Sequence, residues 1–366
     1  MNTQAVAKAL VLQRPRNLVL EEFSLPEITD DDALIEVEAC GLCGTDHEQF
    51  SGILPTSGPV IPGHETVGRI VRIGQNAKLR FKVDIGDLVA VEVFQSCRNC
   101  QYCLNGDYRH CNHHGLFDMY GFIPTSKPPS LWGGYASHLY LSKDAMVIKL
   151  PERLDPQLAT LFNPLGAGLR WAAEIPQTQE GDVVAILGPG IRGIAGIVAA
   201  KLAGAKFVMI TGYGPRDKKR LEVAKTFGAD LVVDIEHQDP IRELKSAVGS
   251  LANVVVDVTA KSTTALGQAI NLCCEGGTVV VAGTKGTVGA DNLSIDSIIY
   301  KELRILGALG VDIHSYSRAV EILNSSEFPF ESLSRLEIGF SGAQNLLVEL
   351  SEGSQDALHC LINPHK

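Results

Sequence analysis

The sequence predicts an α/β protein of two domains, a barrel-like β domain followed by a doubly wound parallel sheet. Three observations carry that reading. At 366 residues the chain is too long for one ordinary core. Residues 5–40 alternate apolar and polar in short runs, punctuated by Pro15, Pro26 and the acidic run Asp30 to Asp32. Beyond Gly181 that style gives way to continuous apolar strands separated by helical stretches, the signature of a parallel sheet.

The runs from Ala7 to Leu12, Leu18 to Glu22 and Ala33 to Ala39 suggest an antiparallel meander. Gly68 to Gly74 and Gly86 to Val93 continue it, the second as a Gly-Asp turn followed by a Val-rich strand. Residues 115–145 are rich in Pro and Gly and read as loop, with a strand-like stretch from Tyr135 to Leu141. A helix is expected from Leu161 to Trp171, with Gly166, Ala167 and Gly168 allowing close packing. Then the apolar strand Asp182 to Leu187 runs into Gly188-Pro-Gly190-Ile191-Arg192-Gly193 and an Ala/Ile-rich helix ending near Ala203. Strands are expected at 206–211, 230–233, 253–258 and 278–282, and a helix at 217–227. G-x-G-x-x-G between a strand and a helix is the context in which a pyrophosphate can approach a helix N-terminus. From Leu306 the chain returns to mixed short elements.

Composition excludes several functions. A net charge of −10 argues against a nucleic-acid partner. No apolar run approaches a membrane span. Residues 1–10 lack the apolar core and cleavage site of a secretory signal, so a cytoplasmic protein is expected. Nine cysteines in a reducing compartment point to metal or catalysis before disulfides.

Two cysteine-bearing stretches carry the chemistry. Cys40-Gly-Leu-Cys43-Gly-Thr45-Asp46-His47-Glu48 is followed by Gly63-His64-Glu65. A thiolate, an imidazole and a carboxylate are the ligand types Zn²⁺ accepts. The bland alternative is a buried cysteine and a surface His-Glu pair. Further on stand Cys97, Cys100, Cys103 and Cys111. Two disulfides are the alternative there, but a closed Cys₄ zinc site satisfies all four thiolates and clips a lobe with little core of its own. Having no open position, it is expected to be structural. His110, His113 and His114 beside it read as bystanders.

Three motifs in this order, with Gly41-x-Cys43-Gly-Thr-Asp46 and Pro62-Gly-His64-Glu65 as their most specific parts, resemble the medium-chain zinc-dependent alcohol dehydrogenase superfamily over nearly the whole chain. The resemblance implies a GroES-like catalytic domain over 1–163, with a structural-zinc lobe at 95–113. It implies a Rossmann cofactor domain over 164–310, a C-terminal return to the first domain over 311–366, and an active site in the cleft between the two. It implies one catalytic and one structural zinc, and hydride transfer between an alcohol and NAD(P), with zinc making the alcohol acidic. A carbonyl reductase, or a non-catalytic cofactor-binding relative, is the alternative on the same scaffold. Cys43 and His64 match catalytic-zinc ligands, and Glu65 a carboxylate that ligates in some members. Asn163 matches the remaining ligand position, where relatives often carry Cys, Glu or Asp. Zn²⁺ with one thiolate, one carboxylate and a neutral His is already neutral, so Asn163 need add no charge. Thr45 matches the family hydroxyl that touches the substrate oxygen, and Glu48 stands where a proton relay would continue. The alternative for Glu48 is a solvated surface carboxylate.

The implied cofactor set is Gly188, Gly190, Ile191, Arg192, Gly193, Gly212, Arg216, Gly283 and Thr284. The second strand of the cofactor domain ends in Gly212, where an Asp usually repels a 2′-phosphate, and Arg216, Lys218 and Lys219 offer cations. NADP is therefore expected over NAD, unless Asp217 takes the ribose. A small alcohol or carbonyl substrate and a homodimer or homotetramer complete the expectation.

Overall fold

The computed structural model describes residues 6–286, 289–291 and 293–366; half of the N-terminal decapeptide read above for a signal lies outside them. Strands β1 (Val6–Arg14), β2 (Asn17–Ser24), β3 (Ala33–Gly41), β4 (Glu65–Ile73), β5 (Leu88–Val91), β6 (His138–Leu141) and β7 (Val147–Lys149) come first. β8 (Val183–Leu187), β9 (Phe207–Gly212), β10 (Leu231–Asp234), β11 (Ala252–Asp257), β12 (Cys273–Val281) and β13 (Arg304–Gly307) follow, and β14 (Arg335–Ile338) and β15 (His359–Ile362) close the chain. The chain divides into two compact units. One holds residues 1–162, 312–325 and 334–366, the other 163–311 and 326–333.

In the first unit, β1 and β2 form a two-stranded antiparallel sheet, and a larger sheet runs β14-β15-β3-β4-β5-β7 with β6 paired to β3. The expected meander of residues 5–40 is therefore corrected: β3 pairs with β4, β6 and β15 rather than with β2. Alternation marks which faces are buried but does not choose partners. The pairing of Leu361 with Gly41 and Ile362 with Cys40 brings the chain end beside the Cys43 turn. One apolar layer gathers Leu10, Leu34, Cys40, Phe50, Ile61 and Tyr135, and another Ile35, Ile70, Val89, Trp132 and Leu139.

The second unit is a six-stranded parallel sheet of order β10-β9-β8-β11-β12-β13. Val183, Ala185, Leu187, Met209, Val255 and Val279 supply the core, as expected of strands covered on both faces. Several boundaries move. The helix after β9 runs Gly214–Thr226, three residues earlier than expected, because Pro215 presets the first turn. β12 begins at Cys273, and its pairing with β11 shifts register between Ala252 and Val254. Only His138–Leu141 of the stretch from Tyr135 forms a strand. The helix from Phe162 continues past Leu169 as a π turn, Arg170–Glu174.

Candidate active site and metal centres

Cys43 stands between β3 and the helix Gly44–Ser51, as that helix's N-cap. Its sulfur accepts the Thr45 backbone N–H at 3.4 Å and lies 3.5 Å from the Thr45 hydroxyl. A helix N-terminus favours the thiolate a metal needs. Asp46, 1 % exposed, answers from the other side: its Oδ2 accepts the Cys43 N–H at 2.8 Å, and its Oδ1 accepts the Gly63 N–H at 3.2 Å. The same Oδ1 lies 3.5 Å from His64 Nδ1. One buried carboxylate thus ties the Cys43 turn to the His64 turn and leaves His64 Nε2 for a metal. Burial alone would lower the His64 pKa, but the Asp46 carboxylate and the Cys43 sulfur outweigh it and hold it well above 6.5.

Glu65 opens β4 opposite Gly41. A Cβ at Gly41 would fall on Glu65 Oε2, so glycine there leaves room for the carboxylate. Ligand atoms of Cys43, His64 and Glu65 lie within 4.8 Å of one another, all three residues buried. The donor set fits Zn²⁺ with an open position. Glu48 is 7 % exposed, which corrects the alternative of a solvated carboxylate, and it shares the Gly44–Ser51 helix with Thr45. Asn163, 2 % exposed, lies in the helix Phe162–Leu169 of the second unit.

Cys97, Cys100, Cys103 and Cys111 converge with their sulfurs within 4.8 Å of one another. The pairs Cys97–Cys103 and Cys100–Cys111 stand 3.7 and 3.9 Å apart. Four sulfurs at the Zn–S distance of about 2.3 Å in a tetrahedron would be about 3.8 Å apart, so the cage has zinc dimensions. Its protons are unevenly held. Backbone N–H groups of Cys103 and Asn112 draw the Cys100 thiol down to about 6, while burial pushes Cys103 up to about 12. A dication resolves that conflict by stabilising four thiolates together. His114 stays outside the four-sulfur group, as expected, and has a structural part of its own. It bridges Asp118 at 2.7 Å and Asp144 at 3.2 Å, and Asp118 also takes Lys127 at 2.6 Å.

In the second unit, β8 lies where the strand order reverses, between β9 and β11, the usual place for a ligand. Gly188 has φ +106°, and a Cβ on it would meet Thr259 at 3.2 Å. A Cβ on Gly193 would strike the Gly188 carbonyl, so this glycine lets the helix close onto the strand. A Cβ on Gly190, the N-cap of the helix Ile191–Leu202, would meet nothing within 4 Å. The middle glycine is thus open where a phosphate would approach. At the end of β9, Gly212 sits opposite Asp234 on β10. Asp217 turns inward, accepting the Tyr213 N–H at 3.0 Å and pairing with Arg216 at 3.2 Å and Arg220 at 3.5 Å. Gly283 packs against Thr259, and Thr284 is exposed.

Two residues escaped the sequence reading of the site. Asp46 had a signal, since Cys43-x-x-Asp46 has capping-box spacing. Lys285 had none: its Nζ binds the buried Asp257 carboxylate at 2.9 Å and the Thr259 hydroxyl at 2.8 Å, beside the Gly188 turn.

Comparison with known proteins shows the family of the chain. A family described as alcohol dehydrogenase GroES-like domain matches residues 29–152, and one described as zinc-binding dehydrogenase matches residues 193–325. The chain is 55 % identical to a probable alcohol dehydrogenase of Mycobacterium tuberculosis, with 100 % of both chains covered. It is 28 % identical to the sorbitol dehydrogenase of Bacillus subtilis over 98 % of both. Among solved structures, an alcohol dehydrogenase of Thermotoga maritima superposes with TM-score 0.85 at 26 % identity, covering 98 % of this chain and 99 % of that one. A protein of Sinorhizobium meliloti assigned as a zinc-binding dehydrogenase, solved with NADP bound, gives 0.84 at 26 %, covering 99 % and 100 %.

Proposed function

This chain belongs to the medium-chain, zinc-dependent alcohol dehydrogenase family, and from that premise we propose that it oxidises a secondary alcohol or polyol to the carbonyl compound at a zinc held by Cys43, His64 and Glu65. The observation that carries the reading is the buried three-ligand group braced by Asp46. Bound there, zinc would supply the Lewis acidity that makes an alcohol oxygen acidic, and a nicotinamide would supply the hydride acceptor. The chain's own groups do the rest. Cys43 and Glu65 neutralise the dication, and His64 is kept in one orientation by Asp46. Thr45 takes the alcohol proton, which Glu48 on the same helix receives as base. Cys97, Cys100, Cys103 and Cys111 hold a second, structural zinc.

The Gly188 to Gly193 turn, with Gly212, Arg216, Gly283 and Thr284, receives the dinucleotide. NADP is favoured because Gly212 itself carries no carboxylate and Asp217 is spent on Tyr213, Arg216 and Arg220. The catalytic region spans 1–163, the cofactor region 164–310 and the return segment 311–366. The polyol direction is supported by the sorbitol dehydrogenase and the erythritol/L-threitol dehydrogenase of Mycolicibacterium smegmatis, to which the chain is 28 % and 29 % identical. No helix among the described residues is long and apolar enough to cross a membrane, and all nine cysteines are free thiols, which supports a reducing cytoplasm.

A homodimer or homotetramer is supported by β13, an edge strand bearing half-exposed Ile305, beside the exposed Ile295, Ile299 and Tyr300. Ile299→Lys should shift the mass seen by light scattering toward the monomer; an unchanged mass removes this face from the assembly. The test of the function is a set of initial rates with NADP and NAD over primary, secondary, cyclic and polyol alcohols, alongside zinc analysis. Turnover of secondary alcohols or polyols with about two zinc ions per chain is expected. A zinc-loaded protein that binds dinucleotide and turns over no alcohol or carbonyl compound would refute it.

A further inference from the structure

The cation inside the dinucleotide turn has a built-in support, and its meaning rests on the cofactor reading above. Arg192 is the second residue of the helix Ile191–Leu202, whose first turn contains no acidic residue. A guanidinium there opposes the positive end of the helix, a placement that makes sense when an anion is to be met. It is also held in place. Its Cζ lies 5.3 Å from the centre of the Trp171 ring. Trp171 is buried, in the π turn Arg170–Glu174, and its Nε1 donates to the Gly310 carbonyl at 3.0 Å. Gly310 thus fixes the indole, and the indole face holds the guanidinium by cation–π attraction. Beside them Gly190 has open space where a side chain would be.

We propose that Trp171 is a positioning residue that holds Arg192 against the diphosphate bridge of the dinucleotide. Helix N–H groups and a planar guanidinium then bind the bridge together, the guanidinium through paired N–H donors. Trp171 thereby also becomes an optical reporter of that contact, and replacing Trp132, the other tryptophan, isolates its signal.

In a Trp132→Phe background, NADP and NAD should quench Trp171 emission. By calorimetry in the parent background, Arg192→Met should weaken binding of the preferred dinucleotide about 10- to 100-fold, yet change the affinity for adenosine, which carries neither phosphate of the bridge, by less than about threefold. Trp171→Leu should raise KM for the dinucleotide about 5- to 20-fold while kcat stays within about threefold, and Trp171→Phe, which keeps an aromatic face, should restore most of the loss. Dinucleotide affinity unchanged in Arg192→Met, or equal losses for dinucleotide and adenosine, would overturn the proposal, as would Trp171→Phe behaving like Trp171→Leu. A parent protein that binds no dinucleotide would remove the cofactor reading itself, and this proposal with it.

Discussion

The two cysteine-built centres of the first unit resemble each other in chemistry and differ in construction. The Cys97 to Cys111 cage draws all four ligands from fifteen consecutive residues, and three of its four cysteines are only half-buried. Its Cys100 caps, and its Cys103 lies within, a single four-residue helical turn. The Cys43 centre is wholly buried, draws on two sheet-anchored turns, and uses three different ligand types. The cage offers zinc a complete coordination shell, whereas the buried trio leaves a position open. The comparison teaches that local spacing suffices to build a staple, but a reactive site needs the fold to bring separate turns together and a further residue to brace them.

Breaking the cage should have the largest effect on the protein as a whole. Cys100→Ser is expected to lower the thermal midpoint by well over ~10 °C and to cut soluble yield, since structural zinc contributes directly to folding. The fraction that remains folded should keep kcat within about threefold. A stable, soluble variant without hydride transfer would reverse the roles assigned to the two centres. Asp46→Asn tests the bracing. It keeps shape but alters the charge that holds His64, and should cost about 10- to 100-fold in catalytic-site zinc affinity or activity. Zinc retention and kcat equal to the parent would make Asp46 a helix cap alone. Glu48→Gln should slow alcohol oxidation near neutral pH by about 10- to 100-fold, with the deficit shrinking as pH rises and hydroxide takes the proton. Equal rates across pH would exclude the relay.

The smallest effect belongs to the cage's surroundings. The hydrogen bond to Asp118 raises the His114 pKa above 6.5, with partial burial opposing and the charges of Asp118 and Asp144 adding to the rise. The charged imidazole therefore contributes stability that is fully present below about 6.5 and is lost as pH climbs through the higher folded value. The difference in thermal midpoint between the parent and His114→Gln should narrow from pH 6 to pH 9. A constant difference would mean that the pair acts through shape rather than charge.

What was legible in the sequence follows the same division. The four cysteines and the Gly188 to Gly193 turn are local, so spacing alone exposed them, and the parallel sheet showed through its unbroken apolar strands. The role of Asp46 was only half legible: its capping-box spacing was visible, but its reach to Gly63 was not. The partner of β3 was illegible, because Leu361 meets Gly41 across some three hundred residues and no periodicity encodes that choice. The same holds for Lys285 on Asp257 and for Arg192 on Trp171, contacts between elements whose own patterns are complete without them.

The distinction between the two centres is tested most directly by measuring zinc content, dinucleotide affinity and turnover together in Cys43→Ala. The expected result is about one zinc per chain in place of about two, dinucleotide affinity within about threefold of the parent, and turnover reduced by about 10³-fold or more. Retained turnover with about two zinc ions bound, or loss of both zinc ions with the fold intact, would contradict the assignment of a reactive site at Cys43 and a structural one at the Cys97 to Cys111 cage.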